Sequence, residues 1–286
     1  MGGAMDPESL TIANLLVGNS PGAAAIEWAL GPGVLRLDEG TRVAVCGDAA
    51  VAVNGEAGRT WHALTVGPRM ELTITPGGAS RFVYVAVQGG IDTPPTAGSR
   101  STYLPAGMGG LEGRRLRVGD RLPGGGPGGV ALVESAPPPV RPREALLRVT
   151  VGPQAERFDL TAREALYRES WTVLAASDRM GYRLGGPAIA PRERATLPSE
   201  AACPGAIQVP DDGQPIVLMP DGPTVGGYPK LAVVVRADLA LLAQCPPGRV
   251  VRFREVSPGE AREALRERAS RLEDLERRAI GEGGSP

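Results

Sequence analysis

The chain has 286 residues, 40 glycines, 28 prolines, a hydrophobic fraction of 42% and a formal net charge of −1. Glycine and proline at this density imply many turns and short elements, while the apolar fraction offsets chain entropy on burial, so a folded, strand-rich protein is expected. The charge balance creates no field for nucleic acid or an anionic membrane, no apolar run reaches the ~18 residues of a membrane span, and the start does not resemble a signal peptide. Cys46, Cys203 and Cys245 are odd in number and far apart. They read as small buried hydrophobes in a reducing cytoplasm, without a disulfide framework or zinc cluster.

In chain order, residues 23–30 predict a short helix, and alternating apolar runs predict strands at 42–46, 50–53, 70–75 and 81–88. Residues 124–143 carry a glycine run followed by a proline run and read as a flexible loop and stiff linker. Beyond it, strands are predicted at 146–151, 171–175, 206–209, 216–219, 231–236 and 249–255, with a helix at 161–169. Ser257-Pro258-Gly259-Glu260 matches a capping box with proline at the first helical position. Leu265, Ala269, Leu272 and Ala279 then form an apolar stripe, read as packing on the chain's own surface. The organisation expected is an N-terminal β domain over 1–140, a C-terminal β domain over 141–256, and a helix with a frayed tail over 257–286.

Two single residues narrow the chemistry. His62 is the sole histidine, which excludes multi-histidine metal sites, and with no nucleophile signature nearby it reads as structural. Lys230 is the sole lysine beside thirty arginines. A compact ammonium differs chemically from a guanidinium, so this residue is a candidate for the site. No Gly-Lys-Ser or Gly-Lys-Thr phosphate loop, complete dinucleotide fingerprint or Gly-x-Ser-x-Gly elbow is present.

Three clusters are denser in polar groups than ordinary turns. In the first, Gln88-Gly89-Gly90-Ile91-Asp92 leads to Gly98-Ser99-Arg100-Ser101-Thr102-Tyr103. Two readings stand: an anion-binding loop using Arg100 and backbone N–H groups, or a solvated loop with Asp92 and Arg100 paired at the surface. The second, Ser177-Asp178-Arg179-Met180-Gly181, is an Asx turn on its own merits, with Arg179 available to an anion. In the third, Gln208 in Gly205-Ala206-Ile207-Gln208-Val209-Pro210 is followed by Thr224-Val225-Gly226-Gly227-Tyr228-Pro229-Lys230. Its paired glycines permit close backbone approach, and Thr224, Tyr228 and Lys230 can line the opening.

These stretches, together with Gly3-Ala4-Met5-Asp6, Ala13-Asn14-Leu15-Leu16, Gly109-Gly110-Leu111-Glu112-Gly113-Arg114 and Gly213-Gln214-Pro215, resemble in order the allophanate hydrolase subunit 2, or biotin-dependent carboxyltransferase-like, family. That family includes the C subunits of 5-oxoprolinases and KipA-like proteins. Its members usually begin with a Thr-Thr-Val-Gln-Asp-like strand, and this sequence starts inside the following motif: the resemblance implies either a start assigned too far downstream or a first family strand missing here. It also implies a mainly β fold of two cyclophilin-like β-barrel halves with few short helices, a C-terminal helix and a cleft between the halves.

The implied activity is that of the C subunit of an ATP-dependent 5-oxoprolinase, acting with subunits A and B (the latter KipI-like) to convert 5-oxoproline to glutamate. ATP would enter through the complex, the B–C pair activating the lactam by phosphorylation. Without a Met-Lys-Met motif, no covalent biotin is expected on this chain. The alternatives are a KipA-like protein antagonising a kinase inhibitor, and a carboxyltransferase component acting on a urea-like amide with biotin supplied in trans. On this reading Asp92, Tyr228 and Lys230 are expected to serve catalysis. Gly89, Gly90, Arg100, Ser101, Tyr103, Ser177, Asp178, Arg179, Gln208, Thr224, Gly226 and Gly227 are expected to bind substrate.

Overall fold

The computed structural model describes residues 2–126, 128–129, 133–192 and 197–280. It divides into two compact units, one running Gly2–Val140 and taking the helical residues from Ala269 onward, the other Arg141–Arg268. The tail expected to fray, 281–286, lies outside the described residues, as do Pro127 and 130–132 of the expected linker.

In the first unit, α1 (Pro7–Leu16) precedes β1 (Ile26–Trp28), β2 (Gly33–Arg36), β3 (Thr41–Cys46), β4 (Ala49–Val53), β5 (Glu56–Ala57), β6 (Ala63–Val66), β7 (Glu71–Pro76) and β8 (Val83–Val87). The strands pair as two four-stranded sheets, β1-β8-β3-β6 and β2-β7-β4-β5, antiparallel throughout. Val43, Val45, Val66, Val83 and Val85 from one sheet meet Val51, Leu72 and Ile74 from the other in a single core cluster. Alternation along each strand puts these residues on one face, which is why the sequence period identifies the strands.

Residues 23–30 correct the expected helix: they contain β1, with Ile26 paired to Val85. Helix propensity is a weak prior, and here sheet pairing outweighs it. Tyr84 donates from its hydroxyl to Glu27 on this strand at 2.7 Å and accepts from the Asp6 N–H at 2.7 Å. Asp6 also caps α1, accepting from the Ser9 N–H and hydroxyl, with Pro7 at the first helical position.

In the second unit, β9 (Ala145–Val151), α2 (Leu160–Arg168), β10 (Trp171–Val173), β11 (Gly181–Gly185), β12 (Glu200–Ala201), β13 (Ala206–Gln208), β14 (Ile216–Leu218), β15 (Val225–Gly226), β16 (Lys230–Val234), α3 (Leu239–Ala243) and β17 (Val250–Glu255) follow, then α4 (Pro258–Ile280). Seven strands close into a barrel in the order β10-β11-β14-β13-β16-β9-β17, with β17 pairing back onto β10. β17 and β9 run parallel, and the other barrel pairs are antiparallel. β12 and β15 stand outside the barrel as a separate two-stranded sheet. The architecture is mainly β, with few helices, as the sequence implied.

The capping box at the start of α4 forms as read: Ser257 N–H donates to Glu260 at 2.8 Å and Glu260 N–H to the Ser257 hydroxyl at 3.2 Å. The apolar stripe agrees with the expectation only in its second half: Ala279 is buried and Leu272 partly so, but Leu265 and Ala269 are exposed, and Ala264 and Leu275 are buried instead, Ala264 against Val235 and Val256. Successive residues turn by about 100° on a helix, so stripes one residue apart face different ways, and the packing partner decides between them. Cys203 is also exposed, correcting its reading as a buried hydrophobe, while Cys46 and Cys245 are buried.

Candidate functional site

The expected site residues divide between the two units. In the first unit, β8 is followed by Gln88 and then Gly89 and Gly90, both glycines at positive φ. The Gly89 N–H donates to Asn19 at 2.7 Å. A Cβ on Gly89 would meet the Gly126 carbonyl oxygen at 2.0 Å, and one on Gly125 would meet the Gly89 oxygen at 1.8 Å. Gly125 N–H donates to Gly90 at 2.9 Å, Gly129 N–H to Gly18 at 3.0 Å, and Asp92 N–H to Pro123 at 3.0 Å. The backbone approach these glycines permit is therefore made by another stretch of the same chain. This corrects the reading of the glycine run as a flexible linker: Gly125 is bonded to Gly90 and Gly129 to Gly18 and Gln88.

Asp92 and Arg100 pair at 2.6 Å, and both side chains are exposed, Asp92 more than Arg100. The Ser101 hydroxyl accepts from the Gly3 N–H at 3.0 Å. Tyr103 exchanges backbone bonds with Met108 around a short 3₁₀ turn at Leu104–Ala106. Farther along, the Arg114 fork holds Asp120 at 2.7 and 2.9 Å. Those bonds, and one from the Arg117 N–H, hold the Asp120 carboxyl down at about 2.

In the second unit, Asp178 closes an Asx turn by accepting from Met180 and Gly181 N–H groups. Ser177 is buried, and its hydroxyl both donates to and accepts from the Arg183 backbone. Arg179 grips Asp221 through two bonds of 2.7 and 2.9 Å, and the Asp221 side chain is only 2% exposed. Arg100 and Arg179, both expected to meet substrate charge, thus each hold a carboxylate of this chain.

Lys230, Gln208 and Gly226 come together. Gln208 and Lys230 are register partners across β13 and β16, so their side chains share a face. Lys230 has a side chain 6% exposed, and its Nζ donates to Glu200 Oε1 at 2.6 Å and to the Ala201 carbonyl at 3.3 Å. Gln154 donates to the same Glu200 oxygen at 2.6 Å and accepts from the Lys230 N–H at 3.1 Å. Gln208 is buried, and its Nε2 has no hydrogen-bond partner among the described residues. Gly226 lies against it: a Cβ there would stand 2.5 Å from that nitrogen. An unpaired buried amide costs about 1–3 kcal/mol, so this donor is available to an acceptor that a ligand brings. Gly227 accepts from the Leu197 N–H at 3.3 Å, and Thr224 and Tyr228 are exposed nearby in sequence.

Gln154, Glu200 and Asp221 were not singled out by the sequence. Gln154 follows Gly152-Pro153 at the end of β9, an ordinary turn signal, and Glu200 lies in a two-residue strand too short to show a period. Among the described residues, no group of three or more His, Cys, Asp and Glu side chains is placed to hold a metal.

The family model for the carboxyltransferase domain, subdomain A and B, matches residues 1–255. The chain is 38% identical over 278 residues to the 5-oxoprolinase C subunit of Escherichia coli (strain K12), covering 96% of this chain and 88% of that protein. It is 33% identical to the 5-oxoprolinase C subunit of Haemophilus influenzae, with coverages of 96% and 89%. The urea amidolyase of Lachancea kluyveri is 33% identical over 96% of this chain, which spans 16% of that protein. Among solved structures, the Kluyveromyces lactis urea carboxylase superposes with a TM-score of 0.86 at 27% identity, over 96% of this chain and 26% of that one.

Proposed function

The chain belongs to the carboxyltransferase domain, subdomain A and B, family, and from that premise we propose that it is the C subunit of an ATP-dependent 5-oxoprolinase. In this reading it acts in the cytoplasm with subunits A and B to open 5-oxoproline to glutamate, ATP being supplied through the complex. The observation that carries it is the buried Lys230 ammonium and, on the adjacent strand, the Gln208 amide donor, which has no partner among the described residues. Two fixed donors on buried side chains stabilise charge developing on a substrate oxygen better than water does. The near full-length identity to two proteins named as the C subunit of 5-oxoprolinase supports the assignment. Asp92 and Tyr228, with the Arg100 and Arg179 clusters, belong to the same proposal as substrate-handling groups.

The urea amidolyase relatives favour a second reading, a carboxyltransferase component using a urea-like amide and biotin carried by another chain. Co-purifying the chain with the products of its neighbouring genes, then measuring ATP hydrolysis with and without 5-oxoproline, tests the first reading. Stimulation that requires this chain supports it. No stimulation in any combination overturns it, and turnover that depends on a biotin carrier establishes the second.

A further inference from the structure

We propose that Lys230 and Gln208 form a receptor for a small carboxylate, and that Glu200 occupies the ligand's place on Lys230 until such an anion displaces it. The inference deepens the 5-oxoprolinase reading and rests on it only for the choice of lactam.

The argument starts from the donors. An ammonium carries three N–H bonds. Two of those on Lys230 are taken, by Glu200 and by the Ala201 carbonyl, both on β12. Gln208 Nε2 is enclosed with nothing to donate to among the described residues. These donors sit on adjacent barrel strands, and β12 and β15 reach them from outside the barrel: Glu200 of β12 bonds Lys230, and Gly226 of β15 lies over Gln208. Both cover strands are two residues long. So small a ladder is marginal by itself, which makes this cover the readily displaced part.

Charge then selects the ligand. Glu200 has a side chain 42% exposed and loses little by turning into water. Lys230 cannot do the same, because a buried ammonium left without a counter-charge is strongly disfavoured. A neutral amide therefore cannot replace Glu200, whereas a carboxylate can. Its second oxygen can then accept from Gln208, satisfying the donor that the closed arrangement leaves unpaired. 5-Oxoproline carries such a carboxylate; urea does not.

The test uses the full chain, ¹⁵N-labelled, following the Gln208 side-chain amide while adding 5-oxoproline, 2-pyrrolidinone (the same ring without the carboxylate), urea or acetate. The proposal expects 5-oxoproline and acetate to move the Gln208 signal and the two neutral amides to leave it in place at equal concentration. Glu200→Gln, which removes the internal competitor, should tighten carboxylate binding by about tenfold, and Lys230→Met should abolish it. Gln154→Leu, which frees Glu200 from one of its bonds and also removes the side-chain acceptor of the Lys230 N–H, should shift affinity in the same direction by less and serves if Glu200→Gln does not fold. Binding of 2-pyrrolidinone as tight as that of 5-oxoproline overturns the proposal, as does unchanged or weaker carboxylate binding in both Glu200→Gln and Gln154→Leu. A response to acetate but not to 5-oxoproline upholds the carboxylate receptor and counts against the lactam assignment. The ATP-hydrolysis experiment above judges the 5-oxoprolinase reading separately.

Discussion

The side-chain nitrogen of Gln208 and the α-carbon of Gly226 face each other so closely that a single added methyl would stand 2.5 Å from the amide. The glycine keeps a buried polar group in place by having no side chain. Its φ is not in the left-handed region, so alanine fits the backbone there and only the contact changes. Gly226→Ala should lower stability by about 1–3 kcal/mol by overpacking. Gln208→Ala in the same chain should restore much of that loss, a coupling readable from urea midpoints of the two single variants and the double variant. Simple additivity would show that the contact is not what excludes alanine.

Gln208→Leu separates stability from function. Leucine fills similar space without a donor, so removing the orphaned N–H should raise stability by about 1 kcal/mol while carboxylate binding is lost. A calorimetric melt beside the titration reads both effects. A variant less stable than the parent would mean that the amide is satisfied in solution.

Arg179 is predicted to matter first for folding. Its fork neutralises an Asp221 side chain that is 2% exposed, and removing it leaves a buried carboxylate without its counter-charge. Arg179→Ala should cost about 3 kcal/mol, with Arg179→Leu/Asp221→Asn recovering part of it by urea denaturation. A loss below about 0.5 kcal/mol, the usual scale for exposed pairs, would sink this reading.

The loop carrying Arg114 and Asp120 should loosen in acid. The Asp120 carboxyl is held near 2, below its ordinary 3.8, first by the Arg114 fork and then by the Arg117 N–H. A group with a depressed folded pKa contributes stability above its unfolded value and loses it as pH falls through the folded one. The contribution is thus complete above 3.8 and fades as pH falls towards about 2. Amide exchange at Arg117, corrected for its intrinsic pH dependence, should rise across that window in the parent and be raised already at neutral pH in Asp120→Asn.

Much of the second unit was legible because its signals are local. Alternation marked β9, β13, β14, β16 and β17 within a residue or two of their observed ends, and Ser257 with Glu260 marked the start of α4. Where the sequence misled, the local pattern did not decide between helix and strand. The alanine-rich stretch before Trp28 suits a helix alone and an edge strand once β8 lies beside it. The motifs marked Lys230, Gln208 and Gly226 as candidates, and Lys230 stood out by being the sole lysine.

Composition and period thus determined a strand-rich chain of short elements, and ordered motifs determined its family. Tertiary structure alone decided what those residues touch. Glu200 lies 30 positions before Lys230 and Gln154 lies 76 before it, and both reach it only where β9, β12 and β16 converge. The same folding leaves the Gln208 nitrogen without a partner among the described residues. Strand periodicity acts over a few residues and is written in them, whereas an ion pair or an orphaned donor depends on which strands become neighbours, and that is fixed only when the barrel closes.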